Sequence, residues 1–226
     1  MTNFTDSDPY ICEALRQIKT SPWSRIHQVP LLRYSILLSL ERLRLKDDKN
    51  MGWTRCPHPK FLGEPQNIAS MCWFAGYTML FRWNDKPEAE IKPFIWSRLQ
   101  NAGIDLIEAK RSGLKLRDNL KAARALGLGA RGYGQPVTEA NLRELLAFSP
   151  VWATGKWFEK TNHVYVIVGV SETQAEIYDP NYVGGPYEAL ESQPVQLSWL
   201  LNGKDGTCTG LAHTYQWYPL QYIKPF

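Results

Sequence analysis

The stretch Gln66-Asn-Ile-Ala-Ser-Met-Cys-Trp-Phe-Ala-Gly-Tyr-Thr-Met-Leu-Phe-Arg-Trp83 passes from polar residues into a run in which ten of the thirteen residues from Met71 onward are hydrophobic. A helix that is apolar on nearly every side belongs in a domain interior. What precedes it is irregular: residues 47–67 carry Asp-Asp-Lys-Asn50, Cys56-Pro-His-Pro59 and Gly63-Glu-Pro65, and a long loop inside a domain tends to be functional. Downstream, the 3.6-residue period predicts amphipathic helices near 88–100, 116–126 and 138–146, with a turn and short strand over 126–134. From Pro150 the pattern becomes β. Strands are expected over 151–158, over Val164-Tyr-Val-Ile-Val-Gly-Val170 with valine at every even position, over 175–178 up to Pro180, and over 212–217. Upstream, Asp8-Pro9 and Pro30 each open an apolar stripe at helical spacing. Helices first and an antiparallel sheet second make an α+β fold, with residues 1–50 a helical extension and 51–226 the main domain.

Composition narrows the function classes. The 226 residues are 44% hydrophobic and 12% aromatic, which excludes a disordered or fibrous chain. The net charge of +4 is mild, and its densest cluster, Arg42, Arg44 and Lys46, is diluted at once by Asp47 and Asp48, so no nucleic-acid partner is expected. The longest apolar stretch, Val29–Leu40, is broken by Arg33 and too short to span a membrane. The polar, acidic N-terminus lacks the features of a secretory signal, which points to a cytoplasmic protein in the producing cell. Cys12, Cys56, Cys72 and Cys208 follow no repeating interval, so they suggest a reduced protein rather than a disulfide scaffold. No cofactor or metal is called for.

Three residues carry the chemistry. Cys72 sits where the long loop becomes the buried helix, and the unpaired amides and dipole of a helix start favour a thiolate. A cysteine there is also an ordinary small buried hydrophobe. His163 opens the valine-alternating strand, and a cysteine nucleophile needs an imidazole partner to form an ion pair and protonate the leaving group. Asp179 follows the returning strand, sixteen residues later, where an acid can orient the imidazole. If Val170 pairs with Ala175 in a tight hairpin, the residue opposite His163 is Tyr182, which leaves Asn181 nominally closer than Asp179 and makes it an alternative third member.

The set Gln66, Cys72-Trp73, His163-Val-Tyr-Val-Ile-Val-Gly-Val170 and Tyr178-Asp-Pro-Asn181 resembles the papain-like cysteine peptidases. The closest branches are the bacteriocin-processing peptidase domains and the AvrRpt2-like bacterial effector proteases. The resemblance covers roughly residues 61–220. It implies Cys72 as nucleophile, His163 as general base and acid, Asp179 as its orienter, and Gln66 with the Cys72 amide as the oxyanion hole. Ser70-Met71 stands where those families commonly carry a glycine or Asp-Cys-Gly. The implied protein is a secreted effector or toxin acting on a protein substrate in the cytoplasm of a target cell, with a cognate immunity protein covering the cleft. Bacteriocin-processing peptidases cut after paired glycines; Trp73, Trp157, Phe158 and Tyr165 are expected to crowd the cleft and favour small residues, Gly-Gly especially. The main rival is a Cys-His peptidoglycan amidase, although the best-known group carries Asp-Cys-Ser at its nucleophile. Two further rivals are a zinc site built from Cys56, His58 and Cys208 or His213, and a partner-binding pseudoenzyme using the nine tryptophans.

Overall fold

One strand organises the described part of the chain: β4, His163–Val170, buried at all eight positions. The computed structural model describes residues 52–57, 63–131, 137–157, 162–181, 191–202, 211 and 220–224. The N-terminal helical extension at 1–50 and the strand expected over 212–217 lie outside them. Around β4 stand β1 (Thr54–Arg55), β2 (Gly129–Arg131), β3 (Val151–Gly155), β5 (Gln174–Tyr178), β6 (Gln193–Gln196) and β7 (Leu220–Tyr222). They form one antiparallel sheet in the order β2-β7-β3-β4-β5-β6, with β1 also paired to β4. Six helices accompany it: α1 (Cys72–Trp83), α2 (Glu88–Asn101), α3 (Leu106–Ser112), α4 (Asn119–Ala125), α5 (Glu139–Leu146) and α6 (Leu197–Asn202). The fold is α+β, as the element order predicts. The short helices α3 and α6 and the strands β1, β6 and β7 are additions to the sequence reading.

Helix α1 buries nine of its twelve residues, because it lies between α2 and the sheet. From α2 it receives Ile91, Ile95 and Leu99, a stripe at four-residue spacing with no exposed surface. On the sheet side the approach is unusually close at Gly76. A Cβ there would stand 2.7 Å from the Trp152 ring and 2.9 Å from Val164 Cγ1, well inside van der Waals contact. Glycine therefore lets α1 press directly onto β3 and β4. Cys72 lies four residues earlier on the same helical face, and Val164 is the chain neighbour of His163. The contact that needs glycine thus also brings the start of α1 to the start of β4. Tyr77 locks the same interface: its ring stacks on Trp152 with centroids 5.0 Å apart, and its hydroxyl donates to Gln221 Oε1 on β7.

Pairing between β4 and β5 changes register once. Val170 pairs with Ala175 and Gly169 with Glu176, but Ile167 pairs with Ile177 and Val166 with Tyr178. One extra residue on β4, Val168, is accommodated as a bulge. The tight-hairpin register therefore does not continue to His163. Continued past Tyr178, the shifted register sets Asp179 opposite Tyr165, on the face that Tyr165 shares with His163. Without the bulge Asp179 would oppose Val166 and fall on the other face of the sheet.

Candidate active site

Cys72 is the first residue of α1, and the residue before it, Met71, provides no side-chain cap. Helix starts leave amides without intrahelical acceptors, and here the Met71 carbonyl is engaged by the amides of Phe74 and Ala75. The Cys72 amide is therefore available at the point where the thiol emerges. The thiol itself is nearly buried, with the residue 8% exposed.

His163 reaches this thiol from β4. Its Nε2 donates to Asp179 Oδ1 at 2.7 Å, and the Cys72 thiol is near enough to favour the charged ring. Asp179 is held in turn by the amide of Asn181, which donates to the same Oδ1 at 2.8 Å. Burial opposes a charged imidazole at His163, but the hydrogen bond to Asp179 and the negative charge on Asp179 and Cys72 outweigh it, so the histidine is pushed up to about 9. A ring held between an acid and a thiol in this way carries its proton through neutral pH. That is the state needed to stabilise a thiolate and then to give a proton to a leaving amine.

Gln66 approaches from the loop. Its backbone amide donates to the Pro180 carbonyl at 2.8 Å, and its Nε2 donates to Asn181 Oδ1 at 3.0 Å and to the Ala69 carbonyl at 3.1 Å. Upstream, Glu64 is anchored by Arg82 at 2.8 Å and Lys92 at 2.6 Å, and Arg82 also bonds the Gly63 carbonyl and Glu88. The loop is thus tied to α1 and α2 at one end and to the Asp179-Pro180-Asn181 turn at the other. Asn181, the alternative third member, directs its side chain to Gln66, while the carboxylate of Asp179 takes the imidazole. Its tethering of Gln66 was not read from the sequence, although its place in the Asp-Pro-Asn turn was.

Gln66, Cys72, Trp73, His163 and Asn181 line a cleft of about 560 Å³. Of the aromatics expected to wall it, Trp73 lines the cleft, joined by Trp152, whereas Trp157 and Tyr165 do not. Trp157 and Tyr165 are each 2% exposed and lie behind His163. Tyr165 packs edge-on against the imidazole at 4.9 Å, and Trp157 against Tyr165 at 4.5 Å. The Trp157 indole donates to the Leu200 carbonyl of α6 at 3.0 Å, which fixes the ring inward. Trp73 borders the cleft but is 1% exposed, its indole donating to the Ala109 carbonyl. The rest of the lining mixes small or polar residues, among them Ser70, Ser112, Gly113 and Thr154, with Leu114, Leu116 and Val164. Phe158, His58, Cys208 and His213 lie outside the described residues. Cys56, the other cysteine described, is buried. Among the described residues, no group of three or more potential ligands is arranged to hold a metal ion, and no helix is long and apolar enough to cross a membrane.

A family model described as papain-like cysteine protease AvrRpt2 matches residues 60–193, more than half of the chain and a span that includes Gln66, Cys72, His163 and Asp179. None of the curated proteins matches the sequence.

Proposed function

The chain belongs to the AvrRpt2 family of papain-like cysteine proteases, and from that premise we propose the role of each residue and the setting in which the protease works. Cys72 Sγ, as thiolate, attacks the scissile carbonyl carbon, and the carbonyl electron pair moves to oxygen. The Cys72 amide and Gln66 Nε2 donate to that oxyanion; for the latter, Nε2 redirects one of the hydrogens it shares with Ala69 and Asn181. Collapse of the tetrahedral intermediate breaks the C–N bond while the His163 imidazolium protonates the departing amine, leaving a thioester on Cys72. Neutral His163 then takes a proton from water, which attacks the thioester and releases the carboxylate product. Asp179 keeps the ring oriented and favours its charged form.

The observation that carries this reading is the convergence of thiol, imidazole and carboxylate, with Asp179 2.7 Å from His163 Nε2 and Cys72 lining the same cleft as that ring. The substrate is a protein, and the setting is that of an effector delivered by a dedicated contact-dependent system into the cytoplasm of a target cell. A cognate immunity protein covers the cleft in the producer. Cleavage at small residues, Gly-Gly among them, rests on the resemblance to bacteriocin-processing peptidases, since Trp157 and Tyr165 do not narrow the cleft. Incubating the purified chain with a quenched peptide library and, in parallel, with peptidoglycan tests the assignment. Peptide turnover that disappears in Cys72→Ala is expected. Release of stem peptides from peptidoglycan, with no peptide turnover, would move the activity to the amidase class.

A further inference from the structure

Among the described residues, the charged side chains along the cleft are all of one sign. Apart from His163, the charged residue lining the Cys72 cleft is Arg111. The cleft shares Ser112, Gly113, Leu114, Leu116 and Asn162 with an adjoining groove of about 700 Å³, whose charged lining residues are Lys115 and Arg117. Among the described residues no carboxylate lines either hollow. Arg111, Lys115 and Arg117 are exposed, while Leu114 and Leu116 beneath them are half-buried.

The nearby described acids line neither of these two hollows. Asp105, Glu108 and Asp118 line a neighbouring hollow that Lys115 and Arg117 also border. Glu108 is engaged by Arg111 at 2.8 Å, yet the Arg111 side chain is still 80% exposed. Asp105 caps α3 by accepting from the Glu108 amide. Lys115 acts on Glu108 only through its longer-range field, and neither Lys115 nor Arg117 forms an ion pair among the described residues. A peptide leaving Cys72 towards Asn162 therefore passes three cations above a leucine floor, and meets no described anion.

We propose that this groove is a specificity site that takes an acidic segment of the protein substrate, flanking the scissile bond on the Asn162 side. The inference rests on the protease reading of Cys72 and His163 and adds the chemical class of sequence that the protease selects. One-sign clefts favour oppositely charged ligands both in encounter and in register. Exposed pairs are individually weak and screened by salt, so the preference comes from several acids acting together and fades as ionic strength rises.

The test is an internally quenched peptide library in which each position flanking the cut is fixed in turn as Asp, Ala or Lys, assayed at low and at about 0.3 M salt. Wild-type enzyme should cleave pools with Asp on one side of the cut roughly fivefold to tenfold faster than the corresponding Lys pools, with the ratio shrinking in salt. The double variant Lys115→Glu, Arg117→Glu should level or invert the ratio, while a thiol-reactive epoxide still labels Cys72 as in wild type. Equal cleavage of Asp and Lys pools by wild type would overturn the acidic-segment proposal and leave the protease standing. So would an Asp preference unchanged in the double variant. Absence of turnover on every pool together with unlabelled Cys72 would instead overturn the catalytic assignment, and this proposal with it.

Discussion

On the sheet side of the cleft, His163 opens a strand buried at every position, and Asp179 meets it across an antiparallel ladder. On the helix side, Gln66 belongs to an irregular loop held by two local bonds, Nε2 to the Ala69 carbonyl and the Met71 amide to the Ile68 carbonyl, and by single long-range tethers to Pro180, Asn181 and Lys110. The acid–base pair is thus set by long-range strand pairing and backed by the Tyr165 and Trp157 rings, whereas the oxyanion loop depends on local turns and a few tethers. Two of those tethers, from Gln66 to Pro180 and to Asn181, run to the turn that also carries Asp179. The difference teaches that faults on the sheet side should remove the chemistry itself, and faults on the loop side should weaken it by degrees.

The largest expected effect is His163→Ala, which should reduce turnover to background, as should Cys72→Ala, because residues that act as one unit fail together. Cys72→Ala should barely change the melting temperature, since the substitution is nearly isosteric. Retention of more than a tenth of wild-type turnover by either variant would break the comparison at its base. Next comes Asp179→Ala, with a loss on the order of 10³ in kcat. Its pH profile is the sharper readout. The wild-type alkaline limb should fall near the His163 value of about 9, and loss of the carboxylate should move that limb towards the ordinary histidine value near 6.5. The sign for stability follows from the same shift: a histidine raised in the folded state contributes stability that is complete below about pH 6.5 and lost as pH climbs through about 9. The stability gap between wild type and Asp179→Ala should therefore narrow over that window, as seen in urea melts at a series of pH values.

On the loop side, Gln66→Ala should lower kcat by about 10²–10³ with KM nearly unchanged and the alkaline limb in place. Asn181→Ala should be the mildest, at less than about tenfold, and in combination with Gln66→Ala it should cost almost nothing more, because it acts through the same amide. An Asn181→Ala variant more damaged than Asp179→Ala would reverse the two sides and make Asn181 the orienter of the imidazole.

Much of this was legible in residue patterns. The apolar run of α1 and the alternating valines of β4 report burial directly, because side-chain period and solvent exposure are coupled. Cys72, His163 and Asp179 stand at element boundaries that those periods locate, whereas Gln66 lies within the loop and is reached only through the family resemblance. The register was less legible, since a bulge adds one residue without breaking the alternation enough to announce it; the only local hint is Gly169, next to Val168. The cleft walls expected of Trp157 and Tyr165 failed for a related reason. Closeness to His163 in sequence says nothing about which way a ring turns, and Trp157 turns inward to bond α6, an element that the periodicity did not reveal. Gly76 is equally silent in the sequence, because only the approach of Trp152 and Val164 makes its missing side chain matter.

The central claim is that the His163 ring activates the Cys72 thiol, and covalent labelling tests it most directly. The protein is treated with a substoichiometric thiol-reactive epoxide at neutral pH and mapped by peptide mass spectrometry, as wild type and as His163→Ala. One adduct on Cys72 in wild type, lost in the variant, with Cys56 unmodified in both, is the predicted result. Labelling of Cys72 at the same rate in both proteins, or modification of Cys56 in its place, would contradict the account.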